Sequence, residues 1–298
     1  MRTNRKLIRA AAPIVTALAA AALGGCGLFS SSGTSGKYEV NDPDRVAARV
    51  VANVIATTPY SSENPADKAV FNALLYDADG RQFYGPELLF NGEIVEPDTT
   101  RTGPARYVKS EVDYAAGQTY TVAVQGHTAT TPSAPPPLRV TAPARTDPTD
   151  PAKNYFVQPE GQGVTITWTG GDPNRPVYIV INGDPTSQNG RNSRRLFVRD
   201  NPQQSPVDPE NYGLPITNTG SFTIPAELTE RVMNADGTTT PRTIPTFANP
   251  MTNPGVNDVR RFAIFVVQRT DVVKNGPLEV STVSIATATA GVNPNLTP

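Results

Sequence analysis

The stretch GVTITW, residues 163–168, decides the fold class. Its apolar residues Val164, Ile166 and Trp168 alternate strictly with threonines. A period of two places alternate side chains on opposite faces of an extended strand, whereas a helix requires apolar spacings of three and four. The stretch therefore predicts a half-buried β-strand, and we expect Trp168, the only tryptophan, to anchor a core.

Similar strand patterns lie on both sides of this stretch. Apolar alternation or short apolar runs occur in AVFNALLYD (69–77), QTYTVAVQ (118–125), VYIVIN (177–182), VRRFAIFVVQR (259–269) and LEVSTVSIATAT (278–289). Asn91-Gly92 lies between two such runs and is a strong signal for a two-residue hairpin turn. Residues 46–58 fit a strand or an alanine-rich helix, and their β-branched content favours the strand.

Composition agrees with an all-β chain. Proline contributes 30 of the 298 residues, about twice its usual share. Because proline interrupts helices and central strands, this density predicts short strands and long connections. One helix is expected, over residues 226–233 directly after Pro225. Residues 235–256 are predicted to form a loop, and residues 138–141 to close the first structural unit.

Two runs carry a resemblance to known modules. GQTYTVAV (117–124) resembles a late strand of bacterial immunoglobulin-like modules, and TITWTGGDPNRPVYIVI (165–181) resembles a sheet pair of immunoglobulin-like or fibronectin-like domains of bacterial lipoproteins. The resemblance implies an all-β fold with two tandem immunoglobulin-like/fibronectin-like β-sandwiches. The predicted organisation is a signal peptide (1–25), a lipidated cysteine and flexible tether (26–44), a first sandwich (45–145), a proline-rich linker (146–154), a second sandwich with a long loop excursion (155–290) and a disordered tail (291–298).

The first 26 residues form a second recognisable pattern. A basic start precedes an apolar run over residues 10–23, which is shorter than the ~20 residues of a transmembrane helix and typical of a signal-peptide core. Cys26, the only cysteine, follows at once. Leu23-Gly24-Gly25-Cys26 resembles the lipobox of bacterial lipoproteins.

That resemblance implies cleavage between Gly25 and Cys26 and attachment of lipid, of the palmitate type, to the Cys26 sulfur. It places the mature protein in the bacterial cell envelope, anchored to a membrane that is either the inner or the outer one. The alternative is an ordinary secretory signal with an incidental cysteine.

Several classes of function find no support in the residues. The net charge is −1, and no basic patch of the kind that binds nucleic acid is present in the sequence. A single cysteine excludes an intrachain disulfide and a cysteine-based zinc site. Phosphate-binding loop motifs are absent from the sequence, and no cofactor is expected. His127, the only histidine, has no Gly-x-Ser-x-Gly partner motif, so we interpret it as a surface residue and predict no catalytic residue.

A few residues are weak candidates for ligand binding. Asp77 and Asp79 resemble the start of a calcium loop, but Leu88 stands where an EF-hand needs glutamate, so a plain turn and no metal is the favoured interpretation. Asp172 and Asp184 are interpreted as turn residues. The candidates for stacking on sugars or peptides are Tyr60, Tyr84 and Tyr212. The candidates for contact with an anionic surface are the clustered arginines Arg191, Arg194 and Arg195.

We therefore expect a membrane-anchored envelope lipoprotein with a non-enzymatic binding or scaffolding role. Its expected contacts are the membrane, through the lipid on Cys26, and an unknown envelope protein or glycan. One alternative is an envelope glycan-acting hydrolase, which needs a converging carboxylate pair. A second alternative is a carbohydrate-binding module, which needs an aligned patch of aromatic side chains.

Overall fold

The structure is a computed structural model that describes residues 41–99, 106–147, 149–150, 153–159, 161–183, 214–233, 239–247 and 260–292. The chain divides into two compact units, Met1–Gly33 and Thr34–Pro298, and every described residue belongs to the second. The predicted signal peptide, the tether up to residue 40 and the excursion around Arg191, Arg194 and Arg195 lie outside the described residues.

All regular elements of the described residues are β-strands. The first ten are β1 (Arg49–Thr58), β2 (Lys68–Tyr76), β3 (Gln82–Phe83), β4 (Leu88–Phe90), β5 (Glu93–Ile94), β6 (Pro97–Asp98), β7 (Arg106–Asp113), β8 (Thr121–Val124), β9 (His127–Thr130) and β10 (Arg139–Ala142). The others are β11 (Phe156–Val157), β12 (Val164–Thr169), β13 (Val177–Gly183), β14 (Leu214–Ile216), β15 (Ser221–Ile224), β16 (Glu227–Met233), β17 (Thr239–Pro245), β18 (Arg260–Arg269), β19 (Val273–Asn275) and β20 (Leu278–Val292). The prediction of an all-β sandwich fold is confirmed.

One large sheet runs through both halves of the chain. Its strand order is β14-β13-β18-β20-β1-β2-β7-β6, and β3, β11 and β19 add to it at the side. Three small sheets complete the described fold: β5-β4-β8-β9, β10-β12-β15 and the two-stranded β16-β17. Except for the parallel pairs that β20 makes with β1 and β11, the ladders of the named strands are antiparallel.

Two cores lie side by side on one face of the large sheet. Leu278 and Val280 of β20 belong to the first core, which the β5-β4-β8-β9 sheet covers with Leu88, Phe90 and Val122. Ala286, Ala288, Ala290 and Val292 of the same strand belong to the second core, which the β10-β12-β15 sheet covers with Ile166, Trp168 and Ile224. Since all of these β20 residues are even-numbered, both cores pack on the same side of that strand.

The parallel pairing of β1 with β20 joins the two sandwiches. It extends from Val50 opposite Leu278 to Thr58 opposite Ala286. Alternation over residues 46–58 predicts one face from Val46 to Ala56. It is confirmed from Val50 to Ala56, where every second residue is no more than 1% exposed, but Val46 is 76% exposed because the strand begins only at Arg49. Each predicted sandwich thus has its own core, but the two are parts of one sheet.

Where the two cores meet, hydroxyl side chains accept hydrogen bonds from buried backbone N–H groups. Ser284 of β20 is fully buried, and its Oγ accepts a hydrogen bond of 2.8 Å from the backbone N–H of Leu138. Thr282, also fully buried, donates its backbone N–H to Thr270 Oγ1 at 2.9 Å. Buried backbone donors require such acceptors, which explains hydroxyl side chains at a position between two apolar cores.

Several local predictions are confirmed. Asn91 and Gly92 have φ angles of +50° and +81° and connect β4 to β5, as expected of a primed hairpin turn. Trp168 is 3% exposed in the second core and donates its indole N–H to Asn218 Oδ1 at 2.8 Å. Phe262, Ile264 and Val266 share the buried face of β18, as their alternation predicts.

Other local predictions are wrong. Residues 227–233 are not a helix but strand β16, because seven antiparallel pairs with β17 override their helix propensity. β17 in turn lies within residues predicted as loop. β10 does not close the first unit, because Val140 pairs with Trp168 of the second core. Gly291 and Val292, placed by prediction in the disordered tail, extend β20 and pair with β18.

The predicted linker contains no strand among its described residues. Its start is held to the second sandwich by a hydrogen bond of 2.8 Å from the N–H of Thr146 to the carbonyl of Tyr155. Lys153 Nζ lies 3.6 Å from Asp147 Oδ2 and 3.5 Å from Asp150 Oδ2. These exposed ion pairs add little to stability individually.

Candidate functional site at the N-terminal clamp

Cys26 and the other lipobox residues lie outside the described residues. The structure shows how the end of the predicted tether and the residues after it join the first sandwich. Residues 41–48 run across the end of that sandwich and are held there by side chains from two turns. We call this segment and its contacts the N-terminal clamp.

The clamp begins against the loop that follows β3. Asn41 forms a parallel bridge with Tyr84, and the N–H of Asp42 donates to the Tyr84 carbonyl at 2.9 Å. The neighbouring Gly85 has a φ of +130°, and a Cβ added there would lie 2.7 Å from the backbone of Asp42 and Pro43. Glycine is required at this position because of both its conformation and the close approach of the chain.

An ion pair forms the centre of the clamp. Arg45 Nη2 lies 2.6 Å from Asp77 Oδ2, and its guanidinium lies over the Phe83 ring at 5.7 Å from the centroid. The other carboxylate oxygen of Asp77 accepts backbone hydrogen bonds from Asp79 at 3.0 Å and Arg81 at 2.8 Å. Asp77 is only 7% exposed, so its charge requires these partners.

Gln125 closes the clamp from the turn between β8 and β9. Its Oε1 accepts the N–H of Ala47 at 3.0 Å, and its Nε2 donates to the carbonyl of Arg45 at 2.6 Å. This side chain therefore replaces the strand partner that the backbone of residues 45–47 would otherwise need. Gln125 itself has a φ of +49° and is followed by Gly126 at +78°, which is typical of a tight hairpin.

The clamp lies at the end of the first sandwich where β20 begins. Immediately after it, the N–H of Ala48 donates to the Tyr76 carbonyl at 2.9 Å, and the N–H of Val50 donates to the Pro277 carbonyl at 2.8 Å. Residues 41–50 are thereby joined to both β2 and the turn before β20. The second core follows only at Ala286 and beyond on β20.

A charged group lies beside the same end. Glu279 Oε2 accepts from Arg49 Nη2 at 2.8 Å, and its Oε1 accepts from Lys274 Nζ at 3.0 Å. Burial raises the pKa of Glu279, but the hydrogen bonds from Arg49 and Lys274 outweigh it, so that the pKa lies below its usual value. These two ion pairs connect β1 and β19 to the start of β20.

The Asp77 and Asp79 pair has the geometry of a turn. Both oxygens of Asp77 are used by Arg45 and by backbone N–H groups, and the N–H of Gly80 donates to the Asp77 carbonyl at 3.0 Å. Asp79 is exposed and lies 3.8 Å from Arg81. Within the described residues, no group of three or more His, Cys, Asp or Glu side chains is arranged to hold a metal ion.

His127 is an exposed residue at the start of β9, two residues after Gln125 of the clamp. A Cβ added at Gly276 would lie 2.4 Å from His127 Nδ1, so the imidazole packs over that glycine. Beside it, Asn275 Nδ2 donates to the Thr128 carbonyl at 2.7 Å. These contacts connect β9 to the turn before β20, which is a structural role for the histidine.

The structure does not bring the candidate tyrosines together as a binding patch. Tyr60 is 9% exposed, donates its hydroxyl to the Pro143 carbonyl at 2.6 Å and meets Phe156 edge-on, so its interpretation as an exposed stacking residue is wrong. Tyr84 is half-buried against the first core. Tyr212 lies outside the described residues.

Asp172 has the turn role predicted for it. Its Oδ1 accepts the N–H of Asn174 at 2.9 Å, while the fully buried Gln268 accepts its backbone N–H at 2.6 Å and donates to its carbonyl at 2.9 Å. Asp184 lies outside the described residues.

Every described carboxyl group with a shifted pKa has a pKa below its usual value, so its charged form is stabilised. A general acid in glycoside hydrolysis needs the opposite, a raised pKa. The groups with a lowered pKa are Glu93 beside Lys109, Asp113 beside Lys68, Asp147 beside Thr149, Asp271 beside Arg175, and Glu279.

Sequence reasoning did not find Arg45 and Gln125 as clamp residues. The only available signal was Gln125-Gly126, a dipeptide compatible with a hairpin turn between β8 and the unpredicted β9. The partners of both side chains are distant in the chain, 32 residues for Arg45 and 78 for Gln125.

Comparisons with known proteins do not assign this chain to a family. No family model matches it, and no curated protein matches it. Among solved structures, it is similar to the fibronectin(III)-like modules of Clostridium thermocellum CbhA, with 9% identity and a TM-score of 0.23 over 83% of this chain and 97% of that one. It is also similar to the yeast delta-COP-I mu-homology domain, with 10% identity and a TM-score of 0.18 over 85% and 100%. TM-scores this low do not show a shared fold or a shared function.

The described part of the chain contains no helix that is both long and apolar enough to cross a bilayer.

Proposed function

We propose that this protein is a membrane-anchored lipoprotein of the bacterial envelope with a non-enzymatic binding or scaffolding role. Lipid on Cys26 attaches it, and the residues up to the clamp form the tether. A partner protein or glycan of the envelope is bound by the folded part.

The observation that supports this most directly is the position of the N-terminal clamp. Asn41, 15 residues after Cys26 of the lipobox-like motif, is where the chain is first held to the end of the first sandwich at which β20 starts. Fifteen extended residues span about 50 Å, enough to separate that end from a lipid headgroup layer.

The other end of β20 lies in the second sandwich, away from the clamp. There the N–H of Gln158 donates to the Gly291 carbonyl at 2.9 Å, and that of Gly161 to the Phe247 carbonyl at 3.4 Å. Loops at the end of a sandwich are where recognition residues usually lie. We therefore assign partner binding to the end of the second sandwich that carries residues 158–163.

Membrane fractionation of the full chain tests the anchor. Cys26→Ala should move the protein from the membrane fraction to the soluble fraction, whereas the tether substitution Ser31→Ala should leave it with the membrane. Mass spectrometry of the mature N-terminus should show acylated Cys26. A Cys26→Ala protein that stays in the membrane fraction contradicts the anchor.

Site-specific photo-crosslinking tests the binding end. A crosslinking residue at the exposed Gln162 should capture an envelope component, and the same residue at Asp79, 67% exposed beside the clamp, should not. Capture from Asp79 but not from Gln162 would contradict the assignment of partner binding to the end that carries residues 158–163.

A further inference from the structure

The hairpin of β16 and β17, which we call the hairpin arm, is a sheet by itself. Seven antiparallel pairs hold it together, from Glu227 opposite Pro245 to Met233 opposite Thr239. None of the other described strands pairs with it. Isolated two-stranded hairpins are only marginally stable in water, so an additional strand would stabilise the arm.

The hydrogen-bonding pattern of the arm can be read from its base. The N–H of Thr246 donates to the Ala226 carbonyl at 2.8 Å, which makes Ala226 and Thr246 a hydrogen-bonded pair. Such pairs alternate with non-hydrogen-bonded ones along an antiparallel ladder. The next pair, Glu227 with Pro245, is therefore of the second kind, in agreement with the missing N–H of proline.

Continuing this alternation shows which backbone groups point outward. Glu227, Thr229, Arg231 and Met233 direct their N–H and C=O groups away from β17, toward the outer edge of β16. The outward residues of β17 are Thr239, Pro241, Thr243 and Pro245.

The two edges consequently differ. Two of the four outward residues of β17 are prolines, which have no N–H to donate, and proline is a common device for protecting a sheet edge from further pairing. All four outward residues of β16 have an N–H group. Only the β16 edge can accept a full additional strand.

We propose that the β16 edge pairs, antiparallel, with the β16 edge of a second copy of this chain. The two-fold axis passes through Thr229. Glu227 then faces Arg231 of the second copy, and Arg231 faces its Glu227, so both outward pairs of charged positions are complementary. Centring the axis on Glu230 or Arg231 instead would place like charges directly opposite each other.

The central pair in this arrangement is threonine facing threonine. The same kind of cross-strand pair occurs elsewhere in the fold, between Thr165 and Thr223 with hydroxyl oxygens 2.9 Å apart, and between Thr141 and Thr167 at 2.8 Å. Cross-strand threonine pairs of this type contribute to sheet stability.

The arm is positioned for contact between copies. It follows Ile224, which pairs with Val164, at the end of the second sandwich away from the clamp. Self-pairing therefore does not compete with anchoring through the N-terminus, and it does not depend on the anchor proposed above.

A matched pair of proline variants tests the edge. Thr229 and Thr243 are cross-strand partners whose N–H groups both point outward, so Thr229→Pro and Thr243→Pro remove equivalent groups from opposite edges of the arm. In sedimentation velocity of the full chain in a density-matched detergent, wild type and Thr243→Pro should form dimers as concentration rises. Thr229→Pro should remain a monomer.

Charge exchange tests the identity of the partner. Glu227→Arg and Arg231→Glu should each weaken dimerisation by about tenfold, because each creates two like-charge pairs. The double variant, in which the charges are exchanged, should regain wild-type dimerisation.

Three outcomes would overturn the proposal. These are a monomeric wild type at every concentration, a dimer that Thr229→Pro does not affect, and a double variant no stronger than the single ones. Pairing of β16 with a strand from another protein would give the first result.

Discussion

The side chain of Gln125 donates to the backbone carbonyl of Arg45 at 2.6 Å, across 80 residues of sequence. Its other amide atom accepts the N–H of the buried Ala47 at 3.0 Å. One residue of a hairpin turn thus holds the segment through which the chain enters the first sandwich.

Gln125→Ala should loosen this entry segment. The buried Ala47 N–H loses its acceptor, which costs about 1–3 kcal/mol, and its hydrogen exchange should accelerate. Gln125→Glu keeps an acceptor for Ala47 but loses the donor to Arg45, so we expect an intermediate effect. The exposed Gln162→Ala is the control, and unchanged exchange at residues 45–47 in Gln125→Ala would show that other contacts hold the segment.

Leu278→Ala should destabilise both sandwiches together. Leu278 is fully buried in the first core, and a Leu→Ala change in a core costs about 2–5 kcal/mol. Because β20 continues into the second core, Trp168 fluorescence should report unfolding at a lower denaturant concentration. This transition should coincide with the unfolding of the whole chain. Ile94→Ala, at an exposed site of the first sandwich, should shift neither. A Trp168 transition that stays in place would mean that the two cores unfold independently.

Asp77→Ala should destabilise the protein without any calcium effect. It removes the partner of Arg45 and the acceptor for two backbone N–H groups, a loss of about 2–3 kcal/mol. The thermal midpoint of the wild type should be equal with millimolar calcium and with chelator, since both Asp77 oxygens already have partners. Asp79→Ala, at an exposed position, should change the midpoint little. A rise of the wild-type midpoint with calcium, lost in Asp77→Ala, would instead indicate an ion site.

Glu279→Gln should make the free energy of unfolding less dependent on pH in the acid range. The folded-state pKa of Glu279 lies below its usual value, so the charged group stabilises the fold at pH values above the unfolded pKa. That contribution disappears as the pH falls through the folded pKa, which lies below the usual value of a glutamate. The difference in unfolding free energy between wild type and Glu279→Gln should therefore be large near neutral pH and small in acid. A difference that stays constant with pH would show that the ion pairs of Glu279 do not have this role.

The sequence by itself determined where most strands lie. Alternation around Trp168 and in β18 depends only on which face of a strand is buried, and the neighbouring residues show this face directly. The Asn91-Gly92 turn was predictable because positive φ angles are strongly residue-specific. The lipobox resemblance at Cys26 likewise depends only on adjacent residues.

Tertiary structure decided which strands pair and therefore which residues form the clamp. No local pattern shows that Val50 lies beside Leu278, or that β10 belongs to the second core, because strand partners are chosen by contacts between distant parts of the chain. Residues 227–233 have helix propensity but pair with β17, and those seven pairs outweigh a preference of a few tenths of a kcal/mol per residue. No sequence pattern marks Arg45 and Gln125 as partners of this segment, since a hydrogen bond between residues 32 or 80 positions apart exists only after the sheets have assembled.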